Sequence, residues 1–572
     1  MTFQPPLSSI FFAMHTAGRL SSDLYHDFST TDVEAVLGEA GKFSAEQIAP
    51  LNRVGDKEGS RLFDGKVTTP TGWKDVYRSW CEAGWNSLTG PVAYGGQELP
   101  MIMAVACTEL WNAACIAFAV NPLLTVGAIE AIAAHASPAL KEYYLPHLIS
   151  GLWTGTMNLT EPQSGSNLSG LRCRAERNSD GTYRVSGTKI FITYGEHDLS
   201  ENIVHLVLAR LPHAPAGTRG ISLFLVPKLL PDSTRNDLRC HSIEHKLGNH
   251  GSPTCMMIYG DNGGATGWLI GEENRGLNCM FTMMNNARLL VGVQGVGIAE
   301  RATQAAFSYA HERRQGKAPG SNNIQCRIIE HPDVKRMLLE MRAKTAAARM
   351  LCMATASAID ESLRAPDEQQ KRKAFARASL LTPLAKSYST DIAVEVASIG
   401  IQVHGGMGFV EETGAAQHYR DARVLPIYEG TNGIQAIDLV TRKLQLENGD
   451  TLLLELKQCE DSVARAQKAF GPSPFRAVMA RSLATLRECA STLLTAKLAV
   501  SLGAANSFLR ALAATLACGY LTNAACEVNE SFEKEQTLTY VNFFTATEVA
   551  LAAAHCETAV ACASAIIGAK LE

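Results

Sequence analysis

The residues best suited to do chemistry in this chain surround Glu429, in the segment VLPIYEGTNGIQ at positions 424–435. Glu429 is the one acid in this segment and follows an apolar run. Apolar surroundings disfavour the charged form of a carboxylate, so we expect its pKa to rise toward the working pH. Such a carboxylate suits a general base that removes an unreactive proton, and Gly430 would let a ligand approach the backbone closely. The alternative is a loop glutamate that pairs with an arginine elsewhere in the chain.

Two other segments offer ligand-binding groups. The segment TEPQSGSN at 160–167 combines hydroxyls, amides and a glycine, so its backbone and side chains can donate to a flat or charged ligand. The segment KIFITYG at 189–195 places Phe191 and Thr193 on one side of a strand. An aromatic wall with a hydroxyl donor suits a planar heterocycle. An ordinary surface turn and an ordinary core strand remain the alternatives.

Two patterns resemble known sites but lack the required context. Gly292, Gly295 and Gly297 imitate part of a dinucleotide fingerprint, yet no strand precedes them, so we expect them to allow close helix packing. His241 and His245 have the i, i+4 spacing by which two metal ligands share one face of a helix. They lie in a β-rich region without the partners of a zinc site, so we expect solvated or locally hydrogen-bonded histidines.

The elements that must position these residues change in character along the chain. From Asp32 to about Ile149 the pattern is helical. Short runs rich in β-branched and aromatic residues then predict antiparallel strands in a sandwich or barrel. Those runs are Tyr183–Ser186, Lys189–Thr193, Ile203–Leu208 and Ile221–Val226. From Asn278 onward helices return, with the long segments Asn285–Tyr309, His331–Ile359 and Lys373–Ser398, the last kinked or broken at Pro383.

The totals exclude several classes of protein. The 572 residues predict three or four domains, and a 46% hydrophobic composition predicts large cores. A net charge of -4 gives no basic field for nucleic acid, and no apolar run reaches the length that spans a bilayer. The fifteen cysteines contain no C-x-x-C motif, which predicts reduced thiols, a cytoplasmic location and no metal site.

Seven motifs, in order, resemble those of the acyl-CoA dehydrogenase family of flavoproteins over roughly residues 35 to 445. They are MNLTEPQSGSN at 157–167, KIFITYG at 189–195, KLG at 246–248, GEENRGL at 271–277, the NNARL and GxxGxG stretch from 285, QVHGGMGF at 402–409 and PIYEGTNGIQ at 426–435. The chain length, the long C-terminal block and the segment MMNNARL are most similar to the long branch that contains 3-methylmercaptopropionyl-CoA dehydrogenases. The resemblance implies an α+β multi-domain fold: an N-terminal helical domain, a middle antiparallel β domain, a C-terminal helical bundle and an extra C-terminal helical domain.

The resemblance also implies the chemistry. Glu429 matches the base that removes the pro-R α-hydrogen of an acyl-CoA thioester, while the β-hydrogen leaves as hydride to N5 of FAD. The product is the trans-2-enoyl-CoA. The enolate oxygen would be stabilised by the amide of the base residue and a ribityl hydroxyl of the flavin. The positions that match FAD contacts are Leu159, Thr160, Gly165, Ser166, Phe191, Thr193, Thr431 and Gly433. Four further positions match residues that reach the FAD of a neighbouring subunit: Arg313, Gln402, Gly405 and Gly406. Toward the substrate, Ser166 and Arg288 match CoA-facing positions, and Gly430 adjoins the base.

Four positions depart from the family pattern. Phe191 stands where many members have Trp, and the segment RRQGK from Arg313 lacks the aromatic that usually precedes its Gly-Lys pair. Asn285 replaces a common acid, and Asn249 with His250 replaces a more usual hydrophobe-Arg pair. These changes affect the expected CoA, FAD and subunit contacts.

The predicted segments are an N-terminal extension at 1–35, a helical domain at 36–156, a β domain at 157–277, a helical bundle at 278–447 and an added helical domain at 448–572. In related long members the added domain covers the surface by which shorter members form tetramers, so we expect a homodimer. We expect an electron-transfer flavoprotein as the electron acceptor. An acyl-CoA oxidase that uses oxygen is the main alternative, and a flavoprotein with a non-catalytic binding role or a DNA-binding tail is a weaker one. The sequence leaves open whether the acyl chain is methylthio, short or medium.

Overall fold

The computed structural model describes residues 3–320, 324–528 and 531–570. Within them lie sixteen α-helices and ten β-strands, labelled in chain order. Helices α1 to α16 are Leu7–His15, Thr30–Phe43, Leu51–Glu58, Trp73–Glu82, Met101–His135, Pro138–Ile149, Gly276–Glu312, Pro332–Arg364, Glu368–His404, Ala415–Ala422, Asn432–Asp438, Asp450–Phe470, Pro474–Thr495, Leu498–Glu527, Ser531–Phe544 and Ala550–Gly568. Strands β1 to β10 are Arg61–Phe63, Lys66–Thr68, Trp153–Asn158, Arg174–Arg177, Tyr183–Thr193, Asn202–Ala209, Ser222–Pro227, Leu238–Ile243, Thr254–Tyr259 and Ala265–Ile270.

Helices, then strands, then helices, then a further helical block follow one another, which confirms the predicted fold class. The chain divides into two compact units. The β unit comprises residues 46–100 and 114–287, and the helical unit comprises residues 1–45, 101–113 and 288–572. Helices α5 and α7 each contain residues of both units. The bounds of the five segments predicted from the sequence stay predictions.

The β unit is built on an eight-stranded sheet with the order β3-β6-β7-β10-β5-β9-β8, and β4 pairs with β5. Every residue of β6 and β7 is buried, as expected for strands covered on both faces. The four predicted runs all lie in this sheet. Most pairs are antiparallel as predicted, but β3 pairs with β6 in parallel, which the sequence argument did not foresee. The hairpin of β1 and β2 was also missed, inside a region predicted as helical.

Two runs predicted as separate strands form the single strand β5. Gly187 and Thr188 separate these two runs in the sequence. In the structure Gly187 has a φ of +136°, and a Cβ there would lie 2.4 Å from Sγ of Cys173. The glycine therefore marks a close approach of the neighbouring strand segment and does not end the strand.

The three glycines of the false dinucleotide fingerprint lie in α7 and pack directly against other helices of the helical unit. A Cβ at Gly292 would lie 2.8 Å from the carbonyl oxygen of Ala385, and one at Gly295 would lie 2.5 Å from that of Ser389. A Cβ at Gly297 would lie 2.8 Å from the backbone nitrogen of Ala113. These distances confirm the prediction that the glycines allow close helix packing.

Helix α9 continues through Pro383, so the predicted kink or break does not end the helix there. Of the last five helices, α12, α14 and α15 pack on α8 or α9, and buried and half-buried charged side chains join the two parts. Arg510 of α14 binds Glu395 of α9 at 2.6 Å and Glu548, just before α16, at 2.7 Å. Lys344 of α8 binds Glu395 at 2.7 Å. We call these four residues the four-charge cluster.

Four described helical segments are long and apolar enough, by length and composition alone, to cross a membrane. They are Met101–His135, Glu368–Phe409, Leu498–Glu527 and Glu533–Gly568. The expectation that no segment reaches this length was wrong, because it considered only uninterrupted apolar runs. In the first segment 83% of the most apolar window is buried in the fold.

Candidate active site

Glu429 lies in a tight turn of the helical unit between α10 and α11. Glu429 has a φ of +53° and Gly430 a φ of +82°. A glutamate rarely adopts a positive φ, and such strain persists where surrounding contacts impose it. Here the N–H of Asn432 donates to the carbonyl of Pro426 at 2.9 Å, and Thr431 caps α11 by accepting from the N–H of Ile434 at 3.2 Å. The turn therefore presents the carboxylate from a fixed and strained backbone.

Two cationic side chains share the surroundings of the half-buried Glu429. Burial raises the pKa of Glu429 above its ordinary value, and the nearby Arg288 and Lys386 lower it in part. Arg288 is 7% exposed, and its Nε has no hydrogen-bond partner among the described residues. Its Nη1 lies 4.0 Å from Asp438. Among the described residues Glu429 itself forms no ion pair, which disfavours the alternative of a loop glutamate paired with an arginine.

Lys386 of α9 holds this turn, and it was not among the residues predicted from the sequence. Its side chain is fully buried, and its Nζ donates to the carbonyl of Gly430 and to Oδ1 of Asn432, both at 2.9 Å. Asn432 in turn donates to Oδ1 of Asp391 at 2.8 Å. The available signal was a single lysine within the otherwise uncharged run SLLTPLAKSYST.

Two amide side chains complete the described contacts of the turn. Nε2 of Gln435 donates to the carbonyls of Glu429 at 3.4 Å and Gly430 at 3.3 Å, while its Oε1 is buried without a partner. The hydroxyl of Tyr428 donates to Gln294, which donates to Asn112 at 2.9 Å. The unpaired polar atoms of Gln435 and Arg288 are buried groups with capacity to bind a ligand.

The other predicted residues of the helical unit fall into two groups. Gly433 lies in the first turn of α11, directly after the Thr431 cap. The second group is exposed: Arg313, Gln402, Gly405 and Gly406. Gln402 lies in the last turn of α9, and the two glycines follow the helix. A Cβ at Gly405 or Gly406 would meet open space.

In the β unit, a buried ion pair fixes the loop that follows β3. Nζ of Lys189 donates to Oε1 of Glu161 at 2.9 Å and to the carbonyl of Leu159 at 3.0 Å, and both charged side chains are at most 2% exposed. Glu161 also accepts from the N–H groups of Arg172 at 2.6 Å and Cys173 at 3.0 Å. The loop residues predicted to contact FAD are thus tied to β5.

A β-bulge controls which way Phe191 points. In β5 the odd-numbered residues Tyr183, Val185 and Lys189 are buried, so simple alternation would bury Phe191 as well. Lys189 pairs with Met257 but Ile192 pairs with Cys255, so β5 carries one extra residue and its phase reverses. Phe191 is 60% exposed and has a φ of +59°, and Thr193 is half-buried beyond it.

Thr160 is next to these side chains because the N–H of Ile190 donates to its carbonyl at 3.0 Å. Thr160 and Leu159 are half-buried, while Gly165 and Ser166 are exposed. An exposed aromatic ring beside hydroxyl groups and an open glycine fits the flat, hydrogen-bonding ring system of a flavin.

His241 of the false metal motif and the nearby His250 have local partners. Nδ1 of His241 lies 3.2 Å from Nη1 of Arg239, and His250 contacts the carbonyl of Asp56 at 2.9 Å through Nδ1. Among the residues that the structure describes, no group of three or more His, Cys, Asp or Glu side chains is arranged to hold a metal ion. The fifteen cysteines all lie in described segments and are free thiols.

Comparison with known proteins gives three consecutive family matches. Residues 30–152 match the acyl-CoA dehydrogenase N-terminal domain, 156–261 the middle domain and 274–444 the C-terminal domain. A 3-methylmercaptopropionyl-CoA dehydrogenase of Ruegeria pomeroyi is 53% identical over 461 residues, which covers 79% of this chain and 78% of that protein.

Two solved structures extend the comparison. A chain from the structure of the electron transferring flavoprotein of Acidaminococcus fermentans is 26% identical with a TM-score of 0.60, and the match covers 72% of this chain and 97% of that one. Caenorhabditis elegans ACDH-11, in complex with C11-CoA, is 21% identical with a TM-score of 0.79, covering 96% of this chain and 93% of that one. The second match includes most of the added C-terminal block and shows a shared fold.

Proposed function

Because the chain belongs to the acyl-CoA dehydrogenase family, we propose that Glu429 is the base that removes the α-proton of its acyl-CoA substrate. The protein is an FAD-dependent oxidoreductase that converts an acyl-CoA thioester to the enoyl-CoA. The observation that carries the role of Glu429 is its position on a strained turn, half-buried, with a raised pKa and no ion pair within the described chain. A base with a pKa near the working pH abstracts a weakly acidic proton most efficiently.

The side chains around Glu429 have opposing effects on its basicity. Burial makes the free carboxylate a stronger base, while Arg288 and Lys386 keep a fraction of it ionised and ready to accept a proton. The strained backbone fixes the direction from which the carboxylate approaches the α-carbon. In the helical unit we assign Arg288, with an unpaired buried Nε, and Gly430 to the acyl-CoA substrate. In the β unit the family motif assigns Ser166 to the CoA portion.

The residues assigned below would hold FAD, which would supply the hydride acceptor for the β-hydrogen of the substrate. In the β unit the family motifs assign Leu159, Thr160, Gly165, Ser166, Phe191 and Thr193 to FAD. In the helical unit, taken by itself, they assign Thr431 and Gly433. Phe191 offers an exposed ring for the flavin to cover, and the hydroxyls of Thr160 and Thr193 offer donors. These assignments follow from the family motifs, and the 60% exposure of Phe191 supports its assignment.

We further propose that the protein acts as a homodimer in the cytoplasm. Met407, Phe409 and Val410 are 48%, 88% and 40% exposed, and they follow the FAD-contact positions Gln402, Gly405 and Gly406. Large apolar side chains grouped at a surface mark a contact with another chain. The family motifs assign Arg313 and Gln402 to the FAD of a neighbouring subunit, a role that requires a second copy of the chain. An electron-transfer flavoprotein is the acceptor that we propose for the reduced flavin.

The proposed substrate is 3-methylmercaptopropionyl-CoA or a short- or medium-chain acyl-CoA. The 53% identity to the Ruegeria pomeroyi protein supports the methylthio substrate. One methylene changes binding by only about 1–3 kcal/mol, so neighbouring chain lengths compete closely. A panel with butyryl-CoA, octanoyl-CoA and palmitoyl-CoA ranks them directly.

The test is anaerobic titration of the yellow protein with this panel. The measured signal is bleaching of the flavin absorbance. Glu429→Gln should lower the bleaching rate by about 100- to 10,000-fold, since it removes the general base. The matched control is Glu412→Gln, a nearby exposed glutamate, which should react like the wild type. Bleaching at the wild-type rate in Glu429→Gln would refute the assignment, and rapid peroxide formation in air would identify an oxidase instead.

A further inference from the structure

Lys386 has the features of a group that acts through its neighbours. The side chain lies in the middle of α9, is fully buried, and reaches the turn that carries Glu429. A buried amine is costly unless its donors are satisfied. Its two described hydrogen bonds, to the carbonyl of Gly430 and to Oδ1 of Asn432, anchor both ends of the segment between them.

The charged groups that face Lys386 come from three elements. Burial lowers its pKa to about 7, and Arg288 on α7 acts in the same direction. Glu429 in the turn and Asp391 on α9 raise the pKa. Burial raises the pKa of Asp391 itself, Arg510 on α14 lowers it, and Glu395 on α9 raises it. Lys386 therefore carries its charge in acidic solution, where Glu429 would otherwise become protonated.

We propose that Lys386 is a positioning residue for Glu429: its two hydrogen bonds fix the positive-φ turn, and its ammonium charge stabilises the Glu429 carboxylate. This inference rests on the proposed role of Glu429 as the base. Loss of the lysine releases Gly430 and Asn432 from α9, and it also removes the cation that opposes protonation of Glu429.

The test compares Lys386→Met with Lys344→Met. Methionine keeps the length and burial of each side chain and removes its charge and donors. Lys344 is a matched control because it is another buried lysine of the helical unit, paired with Glu395 and Glu340 on α9 and α8. Both variants lose a buried cation, but only Lys386 contacts the turn.

Two readouts separate a positioning role from a general structural one. The first is the pH dependence of flavin bleaching at saturating substrate. In Lys386→Met the rate should fall about 100-fold, and the acid limb of the profile should move up by about one pH unit. The second is hydrogen exchange of the peptide 424–435 in the purified protein, which should be faster in Lys386→Met. Lys344→Met should leave both unchanged.

An acid limb or an exchange rate that is the same in Lys386→Met and the wild type overturns the inference. If Lys386→Met does not fold, Asn432→Ala removes one acceptor without changing the charge. That variant should speed exchange of 424–435 and leave the acid limb in place, and wild-type exchange would overturn the proposed anchoring. Full activity of Glu429→Gln, by contrast, would refute the role of Glu429 itself, so the two failures are distinguishable.

Discussion

The buried pair of Glu161 and Lys189 provides the sharpest test of how the β unit holds the flavin loop. Lys189→Met removes the cation and leaves the Glu161 carboxylate buried. That carboxylate keeps the N–H donors of Arg172 and Cys173 and the amide of Gln163 at 2.7 Å. Nevertheless, the attraction that opposed its desolvation is lost.

Breaking one partner of a buried pair costs about 3–5 kcal/mol, so Lys189→Met should lower the free energy of unfolding by that amount. Lys189→Met with Glu161→Gln removes both charges and should recover about half of the loss, since a neutral pair avoids the uncompensated charge. The control is Arg184→Met on the same strand. Arg184 pairs with Glu176 at 3.1 Å on the exposed surface, where such a pair contributes at most about 1 kcal/mol.

Urea denaturation followed by tryptophan fluorescence reads out this change. Five of the six tryptophans, Trp73, Trp80, Trp85, Trp153 and Trp268, lie in the β unit and report on its unfolding. Titration with FAD should show weaker binding in Lys189→Met, because Lys189 also holds the carbonyl of Leu159. The reasoning would be refuted if Lys189→Met were as stable as the wild type. It would also be refuted if the double variant Lys189→Met with Glu161→Gln were less stable than Lys189→Met alone.

The pair also predicts a dependence on pH. Burial raises the pKa of Glu161, but Lys189 and the N–H groups of Arg172 and Cys173 outweigh it, so the pKa lies below its ordinary value. A carboxylate with a lowered folded pKa contributes stability above its unfolded pKa and loses it as the pH falls through the folded value. The stability difference between the wild type and Lys189→Met should therefore shrink in acid.

Three further outcomes are expected. Phe191→Ala should weaken FAD binding by about 1 kcal/mol, through loss of an aromatic contact, and leave the thermal midpoint of the FAD-free protein unchanged. Gly295→Ala should destabilise the protein by about 1–3 kcal/mol in urea, because the added Cβ would lie 2.5 Å from the carbonyl oxygen of Ser389. Phe409→Asp should shift the protein from dimer to monomer in analytical ultracentrifugation, and an unchanged sedimentation coefficient would exclude Phe409 from the interface.

The order of helices and strands was predictable because hydrophobic periodicity reports on local structure. The orientation of Phe191 required knowledge of the bulge, since the alternation that begins at Tyr183 would bury it. The parallel pairing of β3 and β6 involves residues about fifty positions apart, which no local pattern reveals.

The candidate base was identifiable because Glu429 is a lone acid in a characteristic motif. The lysine that holds the turn of Glu429 was not identifiable from the sequence. Lys386 precedes Glu429 by 43 positions, and only the fold brings its Nζ to 2.9 Å from the carbonyl of Gly430. A lysine within a helical run gives no sign of which turn it will meet.

The four-charge cluster has a consequence for cooperativity of unfolding. Lys344 and Glu395 lie in α8 and α9, which belong to the predicted helical bundle at 278–447. Arg510 and Glu548 lie in the added block at 448–572. Arg377 of α9 makes a further pair with Glu455 of α12. Separating the two parts would leave the buried Glu455 and Glu548 and the half-buried Arg510 without these partners. The two parts should therefore melt together as one cooperative element. The added block is thus part of what keeps the bundle folded, and a chain shortened near residue 447 would need new residues at Arg377 and Glu395 before it could stand alone.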